Sequence, residues 1–452
     1  MTKQSRFVWI GAMLVLFVTA VIWVFSGRNT PVQASASSAE ESGGAEGASS
    51  EEQAPSAESA SQEPSETESA SSDEAEAEAP SAVERRSYTP MTFSSVHAVW
   101  FSYIDFQEQT MGADEETFRA RFSEVMANCL SIDVNTLYVQ VRPFADAMYP
   151  SALFPWSKYA AGRQGVDPGY DPLGIIIELA HENGISVHAW VNPLRISRDA
   201  ETYLTDGSVG LVYLERDEGL VCEVDGGLYF NPACGEVVQL VSDGAAELCR
   251  NYDLDGIHFD DYFYPTTDES FDQEQYEAYI RTGGSQSLNE WRRENIDRLV
   301  AQVHETCAQY GVPFGISPAG NMDHCYFTLY ANVARWMNEP GYVDYIAPQI
   351  YWGFEHSTRP FRETVASWQA LCSADVPIIC GLAAYKIGTV DGNTEWQDSH
   401  DILARQTAFC DRSNLAGWAL YRYGSLFRPS GGVAEAVGEE LEALRAYLAQ
   451  EE

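Results

Sequence analysis

Neighbouring carboxylates are costly to bury, because each repels the other and both resist leaving water. Asp260 and Asp261 form such a pair near the end of 255–265, which reads DGIHFDDYFYP. Ile257 and Phe259 alternate with His258 and Asp260, the period of a strand, and Pro265 stops it. That alternation turns Asp260 to the side of His258, and Asp261 joins it only if the strand bends there. Other strand-like runs end in Asp105, in Arg142 with Asp146, and in Trp190 with Asn192 and Arg195. Tyr262, Ser317, Asn321, Gln349, Tyr351, Trp352, Glu355, Tyr385, Lys386, Tyr421 and Arg422 extend the set. Hydrolysis of a glycosidic bond uses two carboxyl groups, one as acid and one as nucleophile or base. Sugar rings stack on aromatic faces, and their hydroxyls take amides and charges.

The catalytic candidates are therefore Asp260, Asp261, Asp146 and Asp105. The candidates for substrate contact are Arg142, Trp190, Asn192, Arg195, Tyr262, Ser317, Gln349, Tyr351, Trp352, Tyr385 and Lys386. Asp255 precedes its strand and is expected to serve a turn or a helix cap. Trp100 and Trp418 read as barrel core. His258 and His188 have no HExxH or first-strand HxH to join, and no G-x-S-x-G elbow supports a serine nucleophile. No cofactor and no metal are expected.

Positioning such groups at strand ends requires a parallel architecture. Eight strand-like runs alternate with helical ones: 97–105, 134–143, 185–193, 255–264, 312–321, 343–352, 376–387 and 415–427. Eight repeats predict an α/β fold of the (β/α)8, TIM-type barrel class rather than an open doubly wound sheet, which would carry a Gly-rich phosphate loop after its first strand. Helix-to-strand turns such as Asn183-Gly184 and Tyr310-Gly311 are short. The strand-to-helix connections are long and polar, as on the site-bearing face of a barrel.

The 452 residues carry 27 basic and 67 acidic side chains, a net charge of −40. Residues 85–452 alone hold −29, which argues against nucleic acid as a partner. Residues 1–28 are predicted to be a signal anchor: Phe7 to Phe25 is an uncharged apolar run of 19 residues behind Lys3 and Arg6. Cleavage after Val32-Gln33-Ala34 is the alternative, and either reading exports the rest. Residues 29–90 form an Ala/Ser/Glu/Pro linker that cannot bury enough surface to order itself. The barrel is assigned to 91–452, tethered to the membrane by the N-terminal helix with a glycan as its partner. Cys222 and Cys234 flank a Gly-Gly turn and are candidates for a disulfide in an oxidising compartment. Cys129, Cys249, Cys307, Cys372 and Cys410 recur near helix ends and read as small buried hydrophobes.

Six motifs in order, YVQVRPFADAMYPS, DPGYDPL, HAWVNPLRIS, DGIHFDDYFYP, GISPAG and DYIAPQIYW, resemble the glycosyl-hydrolase-like 10 family. The resemblance implies a TIM-type barrel with glycosidase activity, in some bacterial members on peptidoglycan strands stripped of their stem peptides. It implies a site drawn from Asp105, Arg142, Asp146, Asn192, Arg195, Asp260, Asp261, Gln349, Tyr351 and Trp352. Glu355 falls where the family pattern is not fixed. DGIHFDDY is also similar to the chitinase-type DGxDxDxE strand, with Tyr262 where that pattern has its acid. The resemblance thus leaves the assignment of acid and nucleophile open.

Overall fold

The computed structural model describes residues 88–199 and 202–450. The predicted anchor and almost all of the linker lie outside them. Among the described residues no helix is long and apolar enough to cross a membrane.

The described residues form ten strands: β1 (Val96–Phe101), β2 (Thr136–Arg142), β3 (Ser186–Val191), β4 (Val221–Val224), β5 (Gly227–Phe230), β6 (Gly256–Phe259), β7 (Phe314–Ile316), β8 (Tyr345–Ile346), β9 (Ile379–Leu382) and β10 (Gly417–Leu420). Eight make one parallel sheet in the order β8-β7-β6-β3-β2-β1-β10-β9. Parallel bridges Ile346–Ile378 and Gln349–Gly381 join its two ends, so the sheet closes into the predicted barrel. β4 and β5 pair as an antiparallel hairpin in the excursion after β3.

Strand alternation divides the apolar side chains into two layers. Leu137, Val139, Ile257 and Phe259 face outward into the large core beneath the helices. Ala98, Trp100, Tyr138, Trp190, Tyr345, Ala347, Ile379 and Ala419 fill the lumen. Trp418, expected in the core, is fully buried in the outer layer. The lumen needs two glycines. A Cβ on Gly256 would lie 2.2 Å from His188 Nδ1, and one on Gly315 would lie 2.1 Å from the Tyr345 ring. Both rings therefore cross the barrel where neighbouring strands present no side chain.

The Trp100 indole donates to His258 Nε2 at 3.1 Å, so His258 carries its proton on Nδ1, 2.9 Å from the Tyr345 hydroxyl. That hydroxyl is left to donate to His188 Nδ1, at 2.8 Å. Burial holds His258 well below its usual range and pushes His188 down to about 4. Both rings stay neutral with their facing nitrogens engaged, which suits packing rather than proton transfer.

Three expectations change here. The first strand ends at Phe101, not Asp105, because Ser102 caps a helix over Tyr103–Gln109 with Asp105 completing the capping box. Cys222 and Cys234 are free thiols whose Sγ atoms point to the carbonyls of Phe271 and Gly219, at 3.0 and 3.5 Å. Asp255 lies away from the site as expected, but it clasps distant segments instead of making a turn or capping a helix. Its carboxylate accepts from Tyr88 Oη and Met91 N on one oxygen and from Val187 N on the other, which also contacts His181, closing the N-terminal face. Cys129, Cys249, Cys307 and Cys410 are buried, and Cys372 is half-buried.

Candidate active site

β6 ends at Phe259, one residue short of the carboxylate pair. Up to that point alternation holds: His258 pairs with Trp190 across the sheet, and Asp260 continues its face. The Trp190 indole donates to Asp260 Oδ2 at 2.9 Å, Asn192 Nδ2 to the same oxygen at 3.3 Å, and Tyr262 N to Oδ1 at 3.2 Å. Asp260 is only 3% exposed, and burial, followed by the charge of Asp261, pushes its carboxyl up to about 7. Arg195 and the Trp190 hydrogen bond oppose the rise.

Asp261 lies beyond the strand, where the chain bends, so pleating no longer sends it to the opposite face. It is half-buried and raised by burial, against a hydrogen bond from the Gln349 side chain. The two carboxyls therefore share one mouth, where the charge of Asp261 helps hold Asp260 up. Gln349 is fixed in turn by donating to the Ser317 carbonyl at 3.0 Å, so Ser317 contributes a backbone oxygen while its residue is buried.

Arg195 is sandwiched between the rings of Phe144 and Tyr262, 4.7 and 4.3 Å from their centroids. Its backbone N–H donates to Asn192 Oδ1, which locks Asn192 toward Asp260. Tyr262 and Tyr385 are 42% and 44% exposed and give the mouth open aromatic faces. Tyr351 packs with Tyr421 and Tyr385 at centroid distances of 5.7 Å each. Trp352 is half-buried, its ring against Gly320, with Arg359 over it. Lys386 donates to the Tyr351 carbonyl at 2.6 Å and pairs with Asp391, so its charge braces this loop and is not free for a substrate.

Three expected site residues lie elsewhere. Asp105 has both oxygens filled: one by Ser102 N and Oγ, the other by Gly424 N and Arg422. No lone pair remains for a substrate, and the residue ties the β1 end to the β10 end. Asp146 is buried beneath Ser157 and Gln164, and burial pushes it up to about 6. Its ionic neighbours are Lys158 and Arg142 rather than the Asp260 pair. Arg142 follows a register shift in β2, between Gln140 and itself, which pairs it with outward-facing Val191. Its guanidinium consequently packs 3.7 Å from the Phe154 ring centroid and against Gly244 of the helix Gly235–Asn251.

The sequence also under-weighted two neighbours. Tyr421 sits 6.0 Å from Trp100 and 6.4 Å from Trp190, joining the lumen to the aromatic mouth. Tyr103 packs at a tilt against Phe144 and Tyr159 and is held by its N–H to Gln140 Oε1 at 3.0 Å. Its place in HAVWFSYID, just past a strand, was the available signal.

The family model for glycosyl hydrolase-like 10 matches residues 95–398, most of the barrel. The chain belongs to that family. Among family-level relatives, glycosyl hydrolase YngK of Bacillus subtilis (strain 168) is 31% identical over 380 residues, 78% of this chain and 73% of its own length. Glycosyl hydrolase DigH of Escherichia coli (strain K12) is 33% identical over 330 residues, 66% of this chain and 74% of its own. The fold resembles the catalytic domain of β-amylase from Paenibacillus polymyxa, with TM-score 0.52 at 10% identity, covering 79% of this chain and 98% of that one. It also resembles α-L-fucosidase isoenzyme 2 from Paenibacillus thiaminolyticus, with TM-score 0.50 at 17% identity, covering 79% of this chain and 49% of that one. These structural likenesses concern the barrel alone.

Proposed function

We propose that the barrel mouth hydrolyses glycosidic bonds in cell-wall glycan, with peptide-stripped peptidoglycan strands as its substrate, outside a membrane in which the N-terminal helix is anchored. The observation that carries the chemistry is the Asp260–Asp261 pair, with Asp260 buried, hydrogen-bonded and raised to about 7. Near neutral pH such a pair keeps one proton between two carboxyls. The protonated member gives it to the departing glycosidic oxygen, the ionised one stabilises the oxocarbenium-like carbon, and water then adds to that carbon, its proton returning to the carboxylate left by the acid. Trp190 and Asn192 hold Asp260 in place, and Tyr262 and Tyr385 offer stacking faces to the sugar rings. The glycan class is supported by the family motifs, and the extracytoplasmic position by the Lys3/Arg6-flanked apolar run.

The test is incubation of the purified protein with stripped and with peptide-bearing strands, followed by mass spectrometry of the products. Cleavage of stripped strands, abolished in Asp260→Asn while strand binding persists, is expected. Absence of product from both polymers would sink the substrate; turnover undiminished in Asp260→Asn would sink the assignment of the pair.

A further inference from the structure

A second concave site lies on the flank of the barrel. A cleft of about 690 Å³ opens between the loop after β2 and the C-terminal end of the helix Gly235–Asn251. Its lining includes Trp156, Asp167, Tyr170, Glu247, Arg250 and Asn251. That helix runs back along the outside of the barrel into β6, so Arg250 and Asn251 lie toward the face opposite Asp260. None of the mouth residues lines it.

The cleft is pre-formed. Buried Glu247 accepts from Ser151 Oγ at 2.5 Å and from Ala152 N at 2.7 Å, which pins the loop to the helix. On the adjoining side the Tyr252 hydroxyl donates to Asp171 at 2.8 Å, and Asp171 also caps the helix Pro172–Glu182 by accepting from Gly174 N. Tyr170 spends its hydroxyl on the Ala113 carbonyl at 3.1 Å, which fixes its half-buried ring as a surface. Trp156, also half-buried, has no partner for its indole N–H among the described residues. Arg250 and Asn251 are exposed and have no side-chain hydrogen bond or ion pair among the described residues. Asp167 uses one oxygen for Gly169 N and leaves the other open.

We infer that this cleft is a second glycan-binding site, which holds a polysaccharide strand on the barrel flank while the mouth works elsewhere on the polymer; it rests on the proposed reading that the chain acts on glycan. Its volume falls within the range of small-ligand sites, roughly 300–1,000 Å³. Two fixed aromatic rings, a free guanidinium, a free carboxamide and an open carboxylate oxygen match ring faces, hydroxyls and acetamido groups. Arg250 also complements the helix dipole, which accounts for a cation there but not for the aromatic walls beside it.

The experiment uses the full chain carrying Asp260→Asn, so that binding is read without cleavage. Co-sedimentation with stripped glycan strands coupled to beads and with the peptide-bearing polymer gives apparent Kd values for this background and with Arg250→Glu or Trp156→Ala added. Arg250→Glu is expected to weaken binding to both polymers at least tenfold. In the otherwise wild-type chain it should leave kcat/KM on a short soluble oligosaccharide of the same sugars within twofold. Because Trp156 packs partly on the core, Arg250→Glu decides the matter if Trp156→Ala fails to fold. Unchanged sedimentation of Arg250→Glu overturns the inference, and so does a loss confined to the peptide-bearing polymer, which would make the ligand a peptide. A wild-type chain that cleaves nothing yet needs Arg250 to sediment would overturn the mouth reading and leave the flank site standing.

Discussion

Asp260→Asn should stabilise the protein at neutral and alkaline pH while removing its turnover. A carboxyl whose pKa is raised by folding keeps its proton over a range where the unfolded chain has released it. The contribution of Asp260 to stability is therefore fully present below 3.8 and is lost as the pH rises through about 7. The gap between those values corresponds to about 4 kcal/mol, an upper bound for a side chain this buried. Asparagine cannot ionise and escapes that loss. It also presents an amide N–H₂ where Tyr262 N now donates to Oδ1, and an unsatisfied buried donor costs about 1–3 kcal/mol. The net expectation is a gain of about 1–3 kcal/mol above pH 7, turning into a loss of about 1–3 kcal/mol near pH 4. Removing the charge also relieves Asp261, which adds in the same direction. Urea unfolding of wild type and variant at pH 4, 6 and 8 measures the difference directly. A difference independent of pH would refute the reasoning, because the raised Asp260 carboxyl and its charge acting on Asp261 both make the difference depend on pH.

Three further substitutions separate the roles argued above. Asp261→Asn removes the charge that helps hold Asp260 up, so the alkaline limb of kcat/KM should shift to lower pH, and kcat should fall about 10²-fold or more for loss of the carboxylate that stabilises the oxocarbenium-like carbon; an unshifted limb would uncouple the pair. Trp190→Phe keeps a ring in the lumen but deletes the 2.9 Å bond to Asp260, so kcat should fall with KM nearly unchanged, and a change in KM alone would assign Trp190 to substrate binding. Arg142→Ala removes a buried guanidinium packed on the Phe154 ring, so thermal or urea unfolding should show a loss of about 1–2 kcal/mol while the folded variant retains wild-type kcat; a raised KM without loss of stability would return Arg142 to the substrate.

What the sequence determined by itself was the repeating pattern. Eight apolar runs separated by helical periods leave a closed parallel barrel as the arrangement that buries both faces of every strand. Alternation through Ile257 and Phe259 was enough to place Asp260 in the mouth, because a strand's pleat is a local property. The position of Asp255 on the short-turn side of its strand was legible too, but its long-range bonds to Tyr88, Met91 and Val187 were not. The tertiary structure decided what depends on where a strand stops or slips. β6 ends at Phe259, which frees Asp261 to share the mouth, whereas strict pleating would have turned it away. The shift in β2 sends Arg142 under a helix, and the early end of β1 makes Asp105 a capping residue with both oxygens taken by groups that include Arg422 and Gly424, more than 300 positions along the chain. Bulges, strand ends and long-range hydrogen bonds are set by the packing of the closed barrel, and residue spacing carries no record of them.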